Sequence, residues 1–131
     1  STTEVENAVS EYEKIAEAVV YGVEIPNTNG RAGMAAITLA AGTELTAQDL
    51  KQMATEFKKC LPAYAVPVFL RVQVQVETTG TFKYQKNKLK EQAFDPNKND
   101  ERLLVLLPNA TEYCDLTVEI FNNIQAYQYR F

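Results

Sequence analysis

The chain has 131 residues, 46% of them hydrophobic, which is one domain's length and enough for a single core. Its 13 basic and 17 acidic residues leave a net charge of -4, arguing against a general nucleic-acid surface, and the absence of histidine removes Ser/His and Cys/His nucleophilic catalysis. Two cysteines, Cys60 and Cys114, make neither a disulfide framework nor a zinc site, so both read as reduced thiols and no metal site is expected. No apolar run approaches the roughly 20 residues that span a bilayer. The reading is of a cytoplasmic protein, with peripheral membrane association left open.

In chain order, Thr3 and Glu6 fit a capping box, and Val5, Ala8, Val9 and Tyr12 recur at helical spacing, so a short amphipathic helix opens almost at once. Ala18 to Ile25 is β-branched and reads as a strand ended by the Pro26 to Gly30 turn cluster; a second strand is expected over Met34 to Leu39. Arg31, between them, can meet a phosphate or a partner surface, or simply sit in a solvated loop. The glycines nearby lack the Gly-x-Gly-x-x-Gly spacing of a dinucleotide site.

Thr46 with Asp49 caps the clearest helix, whose apolar stripe is Leu50, Met53, Ala54, Phe57 and Leu61. Lys58 and Lys59 complement its dipole and Pro62 ends it. Leu61 to Pro67 runs extended into a third strand, where Leu70, Val72, Val74 and Val76 alternate with Arg71, Gln73 and Gln75, predicting one apolar face.

That strand ends at Glu77-Thr78-Thr79-Gly80-Thr81-Phe82-Lys83, and helix formers run on from Lys83 to Ala93. Gly80 can take φ > 0, and the threonine hydroxyls can stiffen the loop by bonding local backbone, so the turn presents the Lys83 ammonium to a ligand. Read from residue types alone, Lys83, Lys86, Lys88 and Lys90 are more readily the wet face of a helix than a ligand site. Beyond Phe94 a polar loop leads to the extended Leu103 to Leu107, then to an amphipathic helix through Leu116, Ile120, Phe121 and Ile124, and to the aromatic ending Tyr127 to Phe131. Two strands, a helix, a third strand and further helices make an α+β fold, a small sheet of about three strands packed with helices.

Thr79-Gly80-Thr81-Phe82-Lys83, with Lys86 three residues on, resembles the last motif of the adenylate-forming enzymes, Pro-Lys-Thr-x-Ser-Gly-Lys followed by a basic residue. Its departures, Glu77-Thr78 for Pro-Lys and Phe82 for glycine, resemble the branch of fatty acid transport proteins and very-long-chain acyl-CoA synthetases. Ser1 to Glu6, Val20-Tyr21-Gly22-Val23 with Gly30-Arg31-Ala32-Gly33-Met34-Ala35, Leu61-Pro62-Ala63-Tyr64-Ala65 and the C-terminal ending resemble the same branch; Val66 stands at its usual basic position, so no ligand contact is carried onto it.

The resemblance implies that residues 1–131 are the C-terminal lid domain of a larger acyl-CoA synthetase, cut on the C-terminal side of the interdomain hinge, with the large N-terminal adenylating domain absent. It implies Lys83 as the catalytic lysine of adenylation, Thr79, Gly80 and Thr81 as the loop that supports it, and Arg31 and Lys86 as weaker candidates for contact with CoA or the large domain. ATP, CoA and Mg2+ would serve the full-length enzyme, none bound by this chain alone. The expected partners are the N-terminal domain of the same polypeptide and a fatty acid, with no nucleic acid. The rival expectation is a non-catalytic module that docks an acidic partner or a membrane through its lysine patch.

Overall fold

The computed structural model describes residues 2–26, 30–74 and 86–131. Its elements in order are α1 (Thr2–Ser10), β1 (Ile15–Glu24), β2 (Arg31–Leu39), α2 (Ala47–Cys60), a 3-10 turn (Ala63–Ala65), β3 (Phe69–Val74), α3 (Lys86–Gln92), β4 (Arg102–Val105), β5 (Cys114–Asp115) and α4 (Val118–Gln125). The five strands form one sheet in sequence order, with β1/β2, β3/β4 and β4/β5 antiparallel and β2/β3 parallel. The parallel pair requires a crossover, which α2 supplies. The α+β class expected from the sequence is the class observed, but the sheet has five strands rather than about three. The additional strands are four and two residues long. β4 falls in the stretch expected to be extended over Leu103 to Leu107, whereas the two-residue β5 exists through its pairing with β4, of which local periodicity carries no trace.

Both faces of the sheet are covered. On one, Val20 of β1, Ala35, Ile37 and Leu39 of β2, Leu70 and Val72 of β3 and Leu104 of β4 pack with Val5 and Val9 of α1 and Leu50, Met53, Ala54 and Phe57 of α2. On the other, Tyr21, Val23, Met34, Ala36, Phe69, Leu103 and Val105 pack with Leu89 of α3, Phe94, and Ile120, Phe121 and Ile124 of α4, with Tyr129 and Phe131 closing over them. Phe69 stacks on Phe94 at 4.1 Å between ring centroids, and Phe94 meets Phe121 edge-on at 5.6 Å. The result is three layers, α1/α2, sheet, α3/α4.

Several local expectations change. β3 lies inside the sheet, so its polar residues do not face solvent: Arg71 and Gln73 are buried. Thr3 lies within α1 rather than capping it, and the Glu6 carboxylate accepts from the Val20 N–H at 2.8 Å on edge strand β1. β2 begins at Arg31, placing that residue in a strand instead of a loop. The stretch from Leu61 to Pro67 is interrupted by the 3-10 turn. The capping box on α2 forms as expected, the Asp49 N–H donating to Thr46 Oγ1 and the Thr46 N–H to Asp49 Oδ2.

Candidate functional site

Thr79, Gly80, Thr81 and Lys83 lie outside the described residues. Both flanks of their segment are described: β3 leads to it and α3, starting at Lys86, leads away. β3 is held on each side, Arg71 standing opposite Ala36 of β2 and Leu103 of β4. α3 has seven residues, too few to be stable alone, and buries Leu89. Lys86 is half-buried at its start, while Lys88 and Lys90 are exposed.

Below α3 sits a polar group that sequence reading did not single out. The Arg71 guanidinium donates from Nε to Glu101 Oε1 at 2.5 Å and from Nη1 to Gln92 Oε1 at 2.5 Å. Asn99, also buried, donates from Nδ2 to the Asp95 carbonyl at 2.7 Å and more distantly to those of Gln92 and Ala93, closing the C-terminal end of α3. The Tyr21 phenol lies nearby; burial pushes its pKa up, and Arg71 pulls against that shift. No local pattern announces this group, because the partners of Arg71 are 21 and 30 residues away. The only hint is an arginine between leucine and valine in a strand.

Arg31 opens β2, well before the Ala36 that faces Arg71, and lies in a different setting. It stands opposite Glu24 on β1, and its stem crosses Gly22, where an added Cβ would come 3.2 Å from Arg31 Cδ. It lines a cleft of about 510 Å3 whose walls carry Lys90 and Lys98 but also Glu24, Glu91 and Asp95, above Phe94 and Phe121. Three cations against three carboxylates give no clear pull on an anion. Lys86 is not among the residues lining this cleft, so Arg31 and Lys86 do not share it.

A second polar cluster sits on the opposite face. Asp49, 6% exposed, receives bonds from Lys14 Nζ at 2.6 Å, the Thr46 N–H at 2.7 Å, Thr46 Oγ1 and the Tyr12 hydroxyl, while Lys14 also reaches the Glu44 carbonyl at 3.0 Å. Burial works against ionisation of Asp49, but these donors outweigh it and hold its carboxyl well below the ordinary value. Both its oxygens are engaged in tying the connection between α1 and β1 to the start of α2, which makes this cluster a structural joint. Among the described residues, no group of three or more Cys, Asp or Glu is placed to hold a metal ion, and no helix is long and apolar enough to cross a membrane.

A small mixed sheet with two helical layers, in a chain whose sequence carries Thr-Gly-Thr-Phe-Lys after β3, defines the class of the C-terminal domains of adenylate-forming enzymes. The chain belongs to the AMP-binding enzyme C-terminal domain family, whose model matches residues 4–83. It is 42% identical over 126 residues to long-chain fatty acid transport protein 6 of Mus musculus, covering 96% of this chain and 20% of that protein. It is also 42% identical over 109 residues to a medium/long-chain fatty-acid–CoA ligase of Mycobacterium tuberculosis, covering 83% of this chain and 18% of that one. An acyl-CoA synthetase of Brucella canis shares its fold with a TM-score of 0.51 and 28% identity, over 70% of this chain and 18% of the synthetase. The chain thus spans about a fifth of the length of the curated relatives it matches.

Proposed function

We propose that this chain is the C-terminal lid domain of a long-chain or very-long-chain fatty acid–CoA ligase, and that Lys83 serves its adenylation step. The observation that carries the proposal is the family match, whose last residue is Lys83. The names of the relatives supply the substrate class: one is a long-chain fatty acid transport protein, another a medium/long-chain fatty-acid–CoA ligase.

The reaction divides in two. Fatty acid and ATP give acyl-adenylate and pyrophosphate; the CoA thiol then attacks the acyl carbon, loses its proton and displaces AMP. In the first half, negative charge concentrates where the carboxylate oxygen meets the α-phosphorus. A positioned ammonium stabilises it without transferring a proton, which is the role assigned to Lys83. Thr79, Gly80 and Thr81 are the residues proposed to support it. In the second half the lid swings to present another surface to CoA, with Arg31 and Lys86 as the residues proposed for that face or for contact with the large domain. ATP, CoA and the acyl chain would lie mainly in the N-terminal domain of the same polypeptide. The described residues provide no cluster for Mg2+, so no step is assigned to this chain through that ion.

The test is Lys83→Ala in the complete ligase, with the half-reactions assayed separately. Acyl-adenylate formation should fall on the order of 100-fold to 1,000-fold, as for other lost transition-state charge partners. Thioester formation from pre-made acyl-adenylate should persist. An intact first half-reaction would end the proposal; equal loss of both would mean Lys83 supports docking of the lid. The domain alone should release no AMP from ATP, CoA and fatty acid above background.

A further inference from the structure

We infer that Tyr64 is an anchor by which the lid docks on the large N-terminal domain of the same polypeptide during the thioester half-reaction, its ring entering an apolar socket there. The inference rests on the lid assignment proposed above. Tyr64 is 91% exposed, more than any other large hydrophobic side chain among the described residues. Pro62 and Ala63 beside it are exposed too, so an uncharged patch stands on the surface of a chain that is 23% charged.

The support beneath the ring is firm. Its 3-10 turn is pinned at both ends: Leu61 and Val66 are buried, the Leu61 N–H returns to the Phe57 carbonyl at 2.9 Å, and the Ala65 N–H returns to that of Pro62 at 2.9 Å. Just beyond, the buried Tyr113 hydroxyl donates to the Pro67 carbonyl at 2.5 Å, and the Val68 N–H donates to that of Gly33 at 2.9 Å. A ring held on such a base loses little freedom on docking, and rigid aromatics of this kind concentrate binding energy at interfaces. The domain's own core gains nothing from a ring that stays almost wholly in water.

The place of the turn in the fold indicates the stage. β2 and β3 run parallel with Met34 opposite Phe69, so Arg31 and Val66, each three residues earlier, open the same end of the sheet. Arg31 is the residue proposed for the face shown to CoA or for contact with the large domain, and an anchor at the same end holds that face in place. The occupant is a large one. The relatives carry about four-fifths of their length beyond the stretch this chain matches, and an exposed aromatic on a fixed turn suits the surface that such a neighbour covers.

The experiment uses the complete ligase. Hydroxyl-radical labelling with AMP and CoA present, read by mass spectrometry, should oxidise Tyr64 more slowly than Tyr127, the reverse of the order that their exposures of 91% and 61% set. Tyr64→Ala should slow single-turnover thioester formation from pre-made acyl-adenylate about ten-fold or more, while adenylation changes less than about two-fold. Thermal unfolding should not move, since the side chain is exposed. Tyr64→Phe should keep the native rate, because the ring makes the contact. Labelling of Tyr64 at the pace of its exposure, protection that fades on dilution because a second copy supplies the cover, a loss confined to adenylation, or no loss at all would overturn the inference. A complete protein that forms no acyl-adenylate would instead overturn the proposed function, and the labelling would still decide the docking.

Discussion

Replacing Asp49 tests whether the joint between the α1–β1 connection and α2 is as structural as its geometry indicates. Asp49→Ala removes the α2 cap interaction, usually about 1 kcal/mol. It also strands the Tyr12 hydroxyl and Lys14, where a hydrogen bond to a charged group contributes about 1.5–3 kcal/mol. These terms share one carboxylate and do not add, and Lys14 is partly exposed and can recover water. The expected loss is about 3 kcal/mol, the low end for breaking a buried pair. With a urea slope of about 1.5 kcal/mol/M, the midpoint at pH 7 should fall by about 2 M. Asp49→Asn, which keeps one acceptor, should lose roughly half as much by the same reasoning.

The acid dependence gives an independent check on Asp49. Its folded carboxyl lies below the ordinary value of 3.8, so its contribution is complete above that value and declines as pH falls through it. At pH 3, where the unfolded group is mostly protonated and the folded one still ionised, the wild type should have lost about 1 kcal/mol that Asp49→Asn never had. Denaturation within about 0.5 kcal/mol of wild type for the alanine variant at pH 7, or an acid response in Asp49→Asn equal to that of the wild type, would refute the reasoning.

Tyr127, 61% exposed, follows α4 in the left-handed region at φ 64°, with the next N–H returning to Asn123 at 2.9 Å, so Tyr127→Gly should raise stability by about 1 kcal/mol in thermal unfolding. Of the two thiols, Cys60 is exposed, whereas Cys114 is half-buried and pushed up by burial and by Asp115 and Glu112; mass spectrometry after brief alkylation at neutral pH should find Cys60 modified well before Cys114.

The elements most legible in the sequence are those whose signals are local. Thr46, Asp49 and the Leu50, Met53, Ala54, Phe57 stripe are read within one helix, and all behave as read. Arg71 and Gln73 show where that method stops. Alternation along β3 distinguishes its two faces but not a wet face from a dry one whose polar groups find partners elsewhere. Glu6 matches a helix-start signature yet spends its carboxylate on Val20, fourteen residues on. For the site, the motif ending at Lys83 is recognisable from its residues, whereas the bracing of its flanks by Gln92, Asn99 and Glu101 exists only once β3, α3 and β4 have come together.

The family match ends at residue 83, after β3, yet one whole side of the sheet is covered by residues C-terminal to that point. Tyr21, Met34 and Phe69 within the matched stretch are buried by Leu89, Phe94, Phe121 and Ile124 beyond it. The stretch the family model matches is therefore smaller than the unit that can hide its own apolar surface, whereas the likeness to the transport protein runs over 96% of the chain. A protein trimmed to residues 4–83 would expose a continuous aromatic and aliphatic face and break the pairing of β3 with β4. For expression, domain exchange or grafting onto another ligase, the helices after the lysine must travel with the strands before it.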